Sequence, residues 1–258
     1  MRQRLVAILI LMLGCLLATA APAQEQKLKV YISVDMEGIG DVVTRDQTGP
    51  AGFEYTQARK WMTAEANAAI SAAFEAGATE VLVSDSHGNA QNLLADELDP
   101  RARLIRAWPR HLVMMDGVEV PEGGFNAAIA GHFGVPVVMI SGDQTVIAEV
   151  RALVGNIEAA EVKRGSGVVA VMMHPTKAQE LIREKTKAAL GRLKDFKPWK
   201  LSSPITMEIA FKWERDAELA GMLPGARMLD GRTVQYTGKD MVELSGLVEV
   251  ITNLETGR

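Results

Sequence analysis

The sequence predicts an α/β fold: a largely parallel sheet flanked by helices, with a smaller C-terminal α+β unit. Short runs rich in Val, Ile and Leu alternate with longer stretches of three- and four-residue apolar spacing, the order of a βαβ architecture. With 258 residues, 48% hydrophobic and 23% charged, the chain has ample material for a packed core. Two of the apolar runs also end in polar, potentially reactive residues, and open parallel sheets place their sites at such ends.

In chain order, "MRQRLVAILILMLGCLLATAAPAQ" comes first, with two arginines, an apolar run from Leu5 to Leu17 and the small-x-small triplet Ala21-Pro22-Ala23. This predicts a signal peptide over 1–23 and a periplasmic or secreted mature protein without a stable membrane anchor after cleavage. The run is short for a membrane span. Cys15 is the only cysteine and leaves with the signal, so disulfides contribute nothing to the mature chain. Cleavage removes Arg2 and Arg4 and no acidic residue, which takes the formal charge from -4 to -6. That balance, with no Lys/Arg cluster interleaved with aromatics, excludes nucleic acid as a partner.

Strands are predicted at Lys29 to Val34, Glu80 to Ser84, Arg103 to Arg106, Val135 to Ser141 and Thr206 to Phe211. A helix over Glu54 to Ala76 sets Tyr55, Ala58, Met62, Ala66, Ala69, Ile70 and Ala73 on one face, and Gly77 stands where a C-cap glycine belongs. Further helices are predicted from Thr176 to Leu193, with Pro175 at the entrance, and from Asp240 to Leu254. The linker-like "KDFKPWKLSSP", Lys194 to Pro204, divides a metal-binding α/β domain over 24–193 from a C-terminal unit over 194–258 packed on it. One place breaks the alternation. "RHLVMMDG" reads as a short helix, and "VEVPEGGFNAAIAGHFG" enters another almost at once, with no strand between.

The chemistry gathers at two strand ends. In "VYISVDMEGIG", Asp35 and Glu37 stand at i and i+2, so extended geometry would project both to one side. Two close carboxylates repel unless a cation or proton lies between them; alone, the pattern is more often that of a solvated acidic turn. "VLVSDSHGN" ends a second strand in Asp85, Ser86 and His87. Together the two ends offer the oxygen and nitrogen donors of a zinc-type hydrolytic site, with Asp85 an alternative as the carboxylate that orients an imidazole. His111, His132 and His174 read as structural or exposed, and Met114, Met115, Met172 and Met173 as core filling. Ser86 lacks a nucleophile-elbow context.

"KVYISVDMEGIGDVV", "MTAEANAAI", "GATEVLVSDSHGN", "EGGFNAAIAGHFGVPVVMISGD" and "TVQYTGKDM", in this order, resemble the D-aminopeptidase family, peptidase family M55, over most of the chain from about Lys27. The resemblance implies an aminopeptidase with two zinc ions per subunit that removes D-amino acids from the free N-terminus of short peptides. It also implies a ring-shaped homo-oligomer with active sites facing an inner chamber. Carried over by position, Asp35 would bridge both metals, and Glu37, His87 and Glu122, in "EGGFNA", would be further ligands. The family also has a segment of several tens of residues between the positions of "MMDG" and "PEGGFNA". It carries a core strand, a ligand histidine in a Gly-x-His context and a second histidine proposed as catalytic. This chain lacks that segment, so no catalytic residue can be carried over.

The expectation is therefore an exported zinc aminopeptidase acting on D-Ala-like N-termini. The alternatives are a degenerate, catalytically impaired member that binds metal or D-peptides, and, fitting less well, a periplasmic solute-binding protein. A solute-binding protein needs two comparable lobes and no carboxylates at strand ends.

Overall fold

The computed structural model describes residues 27–255 apart from 89, 107–112, 116–117 and 168, so the expected signal peptide, with Cys15, and His111 lie outside the described residues. Strand β1 (Leu28–Val34) pairs in parallel with β2 (Ala78–Asp85), and β2 with β3 (Arg103–Arg106). The β1–β2 crossover contains a short helix, α1 (Arg45–Thr48), and the long α2 (Tyr55–Glu75). The predicted apolar stripe of α2 is what it buries: Tyr55, Ala58, Met62, Ala66, Ile70 and Ala73 pack with Val34, Val81 and Val83. Gly77 takes φ 95°, the left-handed turn that a glycine allows after a helix. Val34 lies opposite Asp85 in the ladder, so the residues that follow each strand leave the sheet side by side.

A second parallel pair, β6 (Met139–Gly142) and β7 (Glu158–Glu161), is joined by α4 (Gln144–Val154), which Asp143 caps through Thr145 and Val146. The hairpin β8 (Lys163–Ser166) and β9 (Val169–Met172) follows, then α5 (Pro175–Gly191). Ala178 and Ile182 of α5 are buried in a cluster with Ala68 and Ala69 of α2. The predicted strand at Val135 to Ser141 begins later than expected. Val135 instead donates to Ala130 O, closing the helix before it, and Pro136 has no N–H to give to a ladder.

The remaining strands form a five-stranded antiparallel sheet that corrects one expectation. Its order is β11 (Ala226–Met228), β12 (Thr233–Gly238), β10 (Ile205–Ala210), β4 (Val113–Met115), β5 (Val118–Val120). The stretch predicted as a short helix in "RHLVMMDG" thus holds a strand, and β4–β5 is a hairpin preceding α3 (Glu122–His132). The β-favouring residues there are too few to show a period, and the partner β10 that decides the matter is remote in sequence. The segment after residue 193 packs on the part of the chain before it. Val120 and Ala128 join Ile205, Met207, Ile209, Val234 and Leu244 in one buried cluster, with α6 (Glu214–Gly221) and α7 (Met241–Glu255) covering the sheet. Among the described residues no helix is long and apolar enough to cross a membrane.

Candidate metal centre

Beyond Val34 the chain does not stay extended. Asp35 caps a single 3-10 turn, Met36–Gly38, accepting the Met36 N–H at 2.9 Å, while the fully buried Met36 anchors the turn in the core. A turn, rather than the expected pleat, is what brings Asp35 and Glu37 to the same side. From the neighbouring strand end His87 enters between them. Its Nδ1 lies 3.0 Å from Asp35 Oδ1 and 2.7 Å from Glu37 Oε2. One ligand atom from each of the three lies within 4.8 Å of the others, the metal-type cluster found among the described residues.

The other imidazole nitrogen settles the tautomer. Nε2 is 2.7 Å from the Thr48 carbonyl, which can only accept, so Nε2 carries a hydrogen and Nδ1 faces the carboxylates. A lone pair there would oppose two anionic oxygens. Either a proton or a cation must occupy that side of Nδ1, and with protein groups alone the proton is held. Burial works against it, but the bonds to Asp35, Glu37 and Thr48 prevail, so the His87 pKa is pushed up to about 10. The two carboxylates diverge although they share this partner. Burial raises Asp35, whose side chain is 34% exposed, while the 53% exposed Glu37 is pulled down to about 2, the bonds to His87 and Asp35 outweighing its own burial. The donor set fits zinc: one nitrogen and two carboxylate oxygens converge, and the imidazole is backed by a carbonyl, the usual outer partner of a ligating histidine.

The supporting structure is dense. Asp85 is completely buried and does not touch the imidazole, which corrects the alternative of an orienting carboxylate. It accepts instead the backbone N–H of Asn92 at 2.6 Å, of Leu93 at 2.8 Å and of His87 at 3.4 Å, and the Asn92 side chain at 2.9 Å. Asn92 donates in turn to the His87 carbonyl. The turn between them forces Gly88 to φ 53° and Ala90 to φ 55°, the second a strained value for a residue with a Cβ. Thr48 is positioned by α1, whose buried Gln47 accepts from the N–H groups of Val43 and Thr44 and donates to Asp41 O.

Glu122 is not among the gathered side chains: it opens α3, after Pro121. His132 is exposed at the end of that helix against Phe133, and His174 caps α5 by accepting from Thr176 N, the structural roles expected of them. Met172 is 42% exposed, so it does not fill the core. Thr48, Gln47 and Asn92 escaped the sequence reading, because a backbone acceptor and two amides carry no motif.

Comparison with known proteins gives the family. The D-aminopeptidase family model (peptidase M55) matches residues 28–121 and 113–250. A D-aminopeptidase of Bacillus subtilis (strain 168) is 33% identical over 267 residues, covering 88% of this chain and 97% of the relative. This chain belongs to the D-aminopeptidase family. The same resemblance holds in three dimensions. A solved structure described as the Zn-dependent D-aminopeptidase DppA from Bacillus subtilis, a self-compartmentalizing protease, matches with a TM-score of 0.84 and 31% identity, covering 90% of this chain and 99% of that one. The family match comes in two pieces that overlap at 113–121, the β4–β5 hairpin where the βα alternation breaks. The 267 aligned positions exceed what 88% of 258 residues supplies, so the relative carries stretches without a counterpart here.

Proposed function

We propose that this family member is an exported, zinc-dependent aminopeptidase that hydrolyses the N-terminal D-amino acid, D-alanine-like, from short peptides. The observation that supports it most is the convergence of Asp35, Glu37 and His87 at adjacent carboxyl ends of parallel strands. These three would hold the ion. When bound, zinc polarises a peptide carbonyl and makes attack by water feasible near neutral pH. The chain's own groups do the positioning. Thr48 O keeps Nδ1 of His87 aimed at the carboxylates, Asp35 is fixed by the Met36 N–H, and the exposed Glu37 supplies negative charge that favours a substrate arriving with a free ammonium. Glu122 would serve a second ion position, of which the absent segment would have supplied the histidine. The same reading includes assembly into a homo-oligomer enclosing its active sites, supported by the self-compartmentalizing character of the Bacillus subtilis relative.

A second reading is supported by the split of the family match at 113–121: a member with one firmly held ion and little turnover, binding D-peptides more than cleaving them. Zinc per subunit, measured together with hydrolysis of a D-Ala-peptide and its L-isomer, separates the two. Two ions and brisk D-selective turnover support the enzyme. About one ion with little turnover supports the impaired member, and no zinc with no turnover would refute both.

A further inference from the structure

We infer that Lys163 is a positioning residue for this cation site, setting the direction of Glu37 through the backbone that follows it; the inference rests on the zinc-site reading above. Lys163 arrives from β8, remote in sequence, and its Nζ donates to the Glu37 carbonyl, to Ile39 O at 3.0 Å and to Val42 O at 2.7 Å. An ammonium has three hydrogens, so all of its donors are committed to these carbonyls. It therefore cannot be a substrate-binding group or a proton donor. What it does is curl residues 37–42 around one point, with the carbonyls of Glu37, Ile39 and Val42 turned toward the ammonium.

The opposite side of the same loop is clamped by a carboxyl group. Gly40 N–H donates to Glu65 Oε1 at 2.9 Å. A Cβ at position 40 would stand 3.0 Å from that oxygen, 3.3 Å from Ala178 Cβ and 3.4 Å from Val162 Cβ, so only glycine sits there without displacing a neighbour. Met36, Ile39 and Val42 are buried in the core beneath β1, and that packing holds the loop down whether or not Lys163 is present. The side chains Met36, Ile39 and Val42 thus set the depth of the loop. Lys163 sets the direction of its peptide planes, and with it the point from which Glu37 reaches His87.

Electrostatics and positioning predict opposite signs here. Lys163 is a cation close to Asp35 and Glu37, so removing its charge should tighten binding of a second cation if charge alone mattered. If position matters more, binding should weaken, as it does when the outer partners of metal ligands are lost, by about 10- to 100-fold.

The test is zinc affinity of the mature chain, titrated against a chromophoric chelator, with unfolding of the metal-free protein followed by circular dichroism. Lys163→Met should weaken zinc by about 10- to 100-fold, and Lys163→Arg should recover only part of the loss, because a planar guanidinium cannot aim three donors at one point. Unchanged or tighter zinc in Lys163→Met overturns the inference. Should Lys163→Met fail to fold, Gly40→Ala, which shifts the same loop and keeps the ammonium, is expected to weaken zinc several-fold, and unchanged affinity there overturns the inference equally. Zinc bound by the wild type and lost in His87→Ala establishes the site itself. A wild type that binds no zinc removes both the site and the role of Lys163.

Discussion

The loop after β1, residues 35–48, which carries Asp35 and Glu37, and the stretch 113–132, which carries Glu122, are built very differently. In the first, one side chain after another fixes the backbone: Lys163 and Glu65 hold the loop, Gln47 folds its end, and Thr48 O receives the imidazole. In the second, a hairpin of two three-residue strands leads into a helix start, and Glu122 stands outside the cluster. The difference teaches that the Asp35–Glu37–His87 cluster is held together without help from the stretch where the chain order breaks. Its supports come from α1, α2, β2 and β8, none of which is affected by the break.

That contrast is broken most directly by His87→Ala, which should lower zinc affinity by at least about a hundredfold, since it removes the one nitrogen donor of the cluster. Chelator competition on the purified mature chain reads it, and wild-type affinity in the variant would show that the ion sits elsewhere. Next in size is insertion of a family-type segment between Gly117 and Pro121. Bound zinc should rise from about one to about two per subunit, with D-Ala-peptide turnover rising with it; elemental analysis and product release measure both. Two ions in the unmodified chain would mean that the second region has recruited other donors.

The loop after β1 also predicts a pH dependence of stability. Burial raises the Glu65 pKa from 4.5 to about 7, despite the Gly40 N–H and Lys163, which lower it. The folded value exceeds the unfolded one, so the contribution is fully present below 4.5 and is lost as pH rises through 7. The loss amounts to about 3 kcal/mol across that window. Glu65→Gln keeps an acceptor for Gly40 and should flatten the profile, which denaturant unfolding of metal-free protein at about pH 5 and about pH 7.5 would show. The smallest effect belongs to Glu122→Gln, expected to change the affinity for the first ion by less than about twofold because the residue lies outside the cluster. A tenfold loss would place Glu122 at the same ion as Asp35.

Most of this was legible in the sequence where the signal was local. The strands at 29–34 and 80–84 and the stripe from Tyr55 to Ala73 follow from period alone, and polar residues at two parallel strand ends pointed to Asp35, Glu37 and His87. What escaped depended on partners far along the chain. Val113–Met115 becomes a strand because Met115 pairs with Met207. Asp85 looked like a partner of the imidazole, but a buried carboxylate facing several backbone N–H groups satisfies those first. The carbonyl of Thr48 has no sequence signature at all.

The five-stranded sheet carries a consequence for the order in which the molecule can be made. Residues 28–87 hold two paired strands, their crossover helix and all three donors, and can associate early as the chain emerges. The hairpin at 113–120 must wait, unpaired on one side, until β10 has been synthesised, because Met114 and Met115 find their partners in Glu208 and Met207. Lys163 falls between these two moments. A nascent chain stalled before it would thus own every ligand of the cluster and still lack the cation that aims one of them.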